Sequence, residues 1–77
     1  MAATSAEWAD RATRYLRGEM AHAGVRNAEL AKRLTDMGLP ETEASVQLKI
    51  KRGGFPAWFL LAALRAIGAT ETRLPRD

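Results

Sequence analysis

Residues 27–54, NAELAKRLTDMGLPETEASVQLKIKRGG, decide the fold. Leu30, Ala31, Leu34 and Met37 recur at helical intervals, which predicts a helix capped by Asn27 and stopped at Gly38. A second helical run begins around 40–42, where Pro40 can occupy a first-turn position and Glu41 and Glu43 suit the positive end of the helix dipole. It ends at Arg52, before the Gly53-Gly54 pair. Val46 and Ile50 then point inward with Gln47 at their edge, while Thr42, Ser45, Lys49 and Arg52 share the outer side.

Upstream, Ser5 is the expected N-cap of a helix that carries Glu7 in its first turn and closes at Ala23 before Gly24. Trp8, Ala12, Tyr15, Leu16, Met20 and Ala23 fall on one face of it, and Glu7, Asp10, Arg14 and Arg17 on the other. Glu19 interrupts the apolar stripe. A buried carboxylate needs a cation, and Arg52 or Lys51 is the expected structural ion-pair partner.

Downstream, Pro56 is placed to start a helix that ends at Gly68. Phe59, Leu60, Ala63, Leu64 and Ile67 form one face, yet Trp58, Leu61 and Ala62 occupy the far side with only Arg65 between them. A helix apolar all round must be covered all round, either by the first helix or by another subunit, so a homodimer or another partner is expected on Trp58, Leu61 and Ala62, joined by Leu48. The tail 69–74 alternates in the manner of a short strand, which could pair with a second copy about Thr72.

These elements make one all-α domain of four helices over residues 5–74, with flexible termini at 1–4 and 75–77. Seventy-seven residues leave room for a single core. With no cysteine and only His22, zinc and thiolate chemistry have no ligand set. Residues 1–7 show no basic leader, and the longest apolar run, 55–64, is too short to span a bilayer, so the cytoplasm is the expected compartment. Ser5 and Ser45 read as cap and surface groups and Gly53-Gly54 lacks a phosphate-loop context, so no enzymatic activity, cofactor or metal is expected.

The functional expectation comes from 44–53, which hold Lys49, Lys51 and Arg52 and no acid. Hydroxyl, amide and cationic groups on an exposed helix can bond to base edges and phosphates, and a net charge of +3 is compatible with a polyanion. Double-stranded DNA is the expected partner. Thr42, Ser45, Gln47, Lys49 and Arg52 would read it, with Arg26 and Lys32 on the backbone, from a dimer whose helices enter grooves about 34 Å apart. Such a protein would be a transcriptional regulator-like dimer. The alternative is a protein-interaction module, such as a phage- or plasmid-associated adaptor or inhibitor, using the apolar face of 56–67.

Glu29-Leu30-Ala31 with Leu34, then a short connection, a polar helix with Ile50 and Gly53, resembles the lambda-repressor/Cro-like helix-turn-helix domains. The ordered set Glu29-Leu30-Ala31, Lys49-Ile50, Arg52-Gly53, Phe55, Phe59-Leu60-Leu61 and Ala66-Ile67-Gly68 also resembles a family of small bacterial proteins of uncharacterised function. The first resemblance implies a scaffold helix over 28–37 and a recognition helix over 42–52. It also implies a brace between the first helix and the residues before Gly53, here with charges reversed as Glu19 against Lys51-Arg52. The first of these two helices is about a turn longer than in repressor-like domains.

Overall fold

A computed structural model describes residues 3–69 and residue 71. Four helices follow in order: α1 (Ser5–Ala23), α2 (Asn27–Asp36), α3 (Glu43–Arg52) and α4 (Ala57–Ala66). No strand occurs among the described residues. Of the expected strand over 69–74, only Ala69 and Glu71 are described, and Thr72 lies outside the described residues. No helix among them is long and apolar enough to cross a membrane.

The helix starts show how local chemistry moves a boundary by a residue. Thr4, expected in a flexible leader, is the N-cap of α1, because its hydroxyl accepts from Glu7 N while the Glu7 carboxylate accepts from Thr4 N. Ser5 is therefore the first helical residue rather than the cap. Asn27 is likewise already helical, and the capping position of α2 falls on Arg26 with no side-chain cap bond. Pro40 stays outside α3, since Thr42 and Ser45 form a reciprocal capping box that starts the helix at Glu43. Pro56 precedes α4 as its N-cap.

The helix ends leave carbonyls without intrahelical partners. At α1, Gly24 adopts φ 72° and Val25 N donates to Met20 O, 2.9 Å away, so the chain reverses with its carbonyls bonded. After α2, Leu39 N donates to Leu34 O at 2.9 Å. Arg33 Nη1 crosses from α2 to the Ala66 carbonyl at the end of α4, 2.9 Å away. Thr13 Oγ1 crosses from α1 to the carbonyl of Ile50 near the end of α3.

Close helix–helix approaches run from α1 to α3 and α4 and from α2 to α3 and α4, but not between α1 and α2 or between α3 and α4. The core fills the space between these layers: Leu16 and Met20 of α1, Leu30, Ala31 and Leu34 of α2, Val46 and Ile50 of α3, Phe59, Ala63 and Leu64 of α4, with Val25 and Ile67 at the joints. Trp8, placed on the inner face by periodicity, is instead 57 % exposed, with the Arg11 guanidinium 4.5 Å from its ring centroid. Ala23 and Met37 are also exposed. Ala23 and Met37 lie at helix ends, and Trp8 is on a side of α1 left open by the approach of α3 to Ala9 and Thr13.

Thr13 is buried on the same stripe as Leu16 and Met20. Its hydroxyl satisfies a carbonyl that would otherwise be sealed without a partner, so Thr13→Val, nearly equal in shape, is expected to cost about 1–3 kcal/mol. At roughly 4–8 °C per kcal/mol for a domain of this size, a thermal melt should show the loss clearly. A melting temperature equal to the parent's would mean that this bond adds no stability.

Candidate nucleic-acid interface

The outer side of α3 is set by the burial of Val46 and Ile50, which turns Gln47, Leu48, Lys51 and Arg52 outward. Gln47, Lys51 and Arg52 are exposed, and among the described residues neither cation has a carboxylate partner. Arg26 and Lys32, expected to meet the nucleic-acid backbone, are exposed on or beside α2.

The other expected readers are engaged within the chain. Thr42 N donates to Ser45 Oγ at 2.8 Å, and Ser45 N to Thr42 Oγ1 at 3.0 Å. Ser45 Oγ donates to Glu41 Oε1 at 2.6 Å, and Lys49 Nζ donates to both Glu41 oxygens at 2.9 and 3.0 Å. The Lys49 ammonium also stands 5.7 Å from the centroid of the Phe59 ring, within range of a cation–π attraction. Lys49 is thus drawn toward α4 rather than extended into solvent.

Sequence reasoning assigned Glu41 only to the helix dipole and missed this role. Glu41 lies outside α3, so no helical spacing links it to Lys49; the hint was Ser45 four residues on. Its backbone is held by Thr35 at the end of α2, whose Oγ1 accepts from Glu41 N at 3.2 Å and donates to Glu41 O at 3.1 Å. The carboxylate side chain is only 5 % exposed.

Burial alone would raise the Glu41 pKa. Hydrogen bonds from Ser45 and Lys49, with the Lys49 charge, outweigh it and hold the carboxyl below its ordinary 4.5. A carboxylate with a lowered folded-state pKa adds stability that is complete above the unfolded value and lost as pH falls through the folded one. The melting temperature is therefore expected to fall as pH drops below about 4.5, and to fall less steeply in Glu41→Gln than in the parent. Parallel pH profiles for the two proteins would show that Glu41 makes no such contribution.

The expected Glu19 ion pair does not form. Glu19 is half-buried with no ion-pair partner among the described residues, while Lys51 and Arg52 are exposed. The reason is the crossing point: α1 meets the end of α3 at Ala9 and Thr13, and Glu19 lies six residues further on, about 9 Å along the helix. The brace between these helices is the Thr13–Ile50 hydrogen bond and a backbone approach of Gly53 to Ala9.

Leu48, Trp58 and Leu61, expected to meet a second copy or another partner, are 47 %, 51 % and 64 % exposed, and Ala62 is half-buried. Leu48 lies beside a shallow cleft shared with Arg52, Phe55 and Pro56. Trp58 is fixed edge-on against Phe59, ring centroids 6.1 Å apart.

The chain belongs to the family described as "Domain of unknown function (DUF6471)", whose model matches residues 8–72. No curated protein and no solved structure matches it.

Proposed function

We propose that this member of the DUF6471 family is a small DNA-binding protein, a transcriptional regulator-like dimer that lays α3 in the major groove. The observation that carries the reading is the exposed trio Gln47, Lys51 and Arg52 on a helix anchored from its inner side, the two cations having no carboxylate partner among the described residues. An amide and two cations suit base edges and phosphates, and a rigid helix presents them without loss of chain freedom. Arg26 and Lys32 supply backbone contacts. The α2–α3 pair takes the part of the repressor-like scaffold and recognition helices, with a six-residue connection, 37–42, where such motifs commonly turn in three or four.

Titration of a fluorescent duplex at several salt concentrations tests this. Roughly four phosphates neutralised per subunit would give a log–log slope near about −7 for a dimer. Lys51→Glu with Arg52→Glu is expected to weaken binding by about 100-fold or more without changing helicity, because both side chains lie in solvent. Unchanged affinity in that double variant refutes the assignment.

A second reading rests on the exposure of Leu48, Trp58 and Leu61: a protein-interaction module whose apolar face meets a different protein. Light scattering separates the two. A stable homodimer that Leu61→Asp dissociates supports the first reading, and a monomer without affinity for duplex supports the second.

A further inference from the structure

We propose that Glu41 is an internal competitor for the duplex, a carboxylate that withholds Lys49 and Ser45 from the DNA-facing side of α3. The inference rests on the DNA-binding reading and adds a control to it. Glu41 presents to Lys49 and Ser45 the same anionic oxygen chemistry as a phosphate, with all three bonds between 2.6 and 3.0 Å. The carboxylate is delivered by a backbone that Thr35 grips at both its N–H and its carbonyl. It is therefore held in place by α2 rather than carried on a free loop. The contrast is with Asp10–Arg14 and Glu29–Arg33, pairs four residues apart whose side chains are 42–69 % exposed.

A lysine held on a protein carboxylate neutralises no phosphate, so it releases none of the counterions condensed on the duplex and adds little to the salt-dependent part of binding. Lys51 and Arg52, two and three residues on, carry no such restraint among the described residues. Of the three cations on α3, two are free for DNA and one is held in reserve, released when its carboxylate is neutralised or displaced.

Five proteins decide the matter in one titration against a short mixed-sequence duplex: the parent, Lys49→Ala, Lys51→Ala, Glu41→Gln, and Lys49→Ala combined with Glu41→Gln. Lys49→Ala is expected to bind within about twofold of the parent, and Glu41→Gln about 3- to 10-fold more tightly, with a slope steeper by about 0.9 per subunit. The combined variant has the parent's net charge and is expected to return to parental affinity. Two results overturn the proposal while leaving DNA binding intact. One is a Lys49→Ala loss comparable to that of Lys51→Ala, and the other is a Glu41→Gln gain that survives removal of Lys49. Should Glu41→Gln fail to fold, Lys49→Ala alone decides, because a lysine already on the duplex lowers the slope by about 0.9 when removed. If neither the parent nor Glu41→Gln binds any duplex, the DNA reading falls and this inference with it.

Discussion

Gly53→Ala is expected to lower the melting temperature by about 10 °C or more, a large effect for one added methyl group. Two causes act together. Gly53 caps α3 at φ 68°, a left-handed conformation that costs an L-residue roughly 1–2 kcal/mol. A Cβ there would also stand 2.6 Å from the carbonyl carbon of Ala9, closer still to its oxygen, and 2.7 Å from Thr13 Oγ1. The obstructing atoms belong to the backbone of α1 and to a hydroxyl already committed to Ile50, so nothing flexible can give way. Forcing helices apart in a packed interior adds about 1–3 kcal/mol. Gly24→Ala carries the first cause alone, since Gly24 has φ 72° but nothing within 4 Å of its Cβ position. Circular-dichroism melts should show the Gly53 variant falling about twice as far as the Gly24 variant; equal losses would mean that the approach of α3 to α1 has no energetic weight.

Phe59→Ala is expected to abolish cooperative folding. Phe59 is fully buried, tilted against Phe55 at 5.5 Å between centroids and met edge-on by Trp58. Removing such a ring costs about 3–5 kcal/mol, from lost burial and from the cavity left behind. A single core in a chain of this length supplies about 3–5 kcal/mol in all. The expected product keeps some helix, loses its near-ultraviolet tryptophan signal and binds a hydrophobic dye. A sharp transition within about 5 °C of the parent would place the centre of the core elsewhere.

Much of the architecture was legible because glycine and apolar spacing act locally. Gly24, Gly38, Gly53 and Gly68 all take positive φ, close to where the periodic segments run out. Leu30, Leu34, Val46, Ile50 and Phe59 repeat at helical spacing and are buried. What local pattern could not supply was the angle at which one helix crosses another. That angle decides that Trp8 is left outside, that Glu19 meets no cation among the described residues and that Thr13 is enclosed. Spacing alone held the signal for Thr13, which lies three and seven residues before Leu16 and Met20. The candidate interface was legible as residue types and not as their availability: Lys49 and Arg52 look equivalent on a helical projection, and a glutamate outside the helix tells them apart.

The pattern of close approaches also bears on the order of assembly. The helix made first, α1, packs closely on the two made last and not on α2, so its Leu16 and Met20 have no cover while the chain is still emerging. An isolated helix is marginal in water at best, and contacts that span most of the sequence must await their second half. Only α2 and α3 are both chain neighbours and closely packed, which makes their closure the natural first step. The early helix is thus the keystone, seated only once α3 has emerged and completed by α4, and newly synthesised chain should remain open to proteases until α4 has been released.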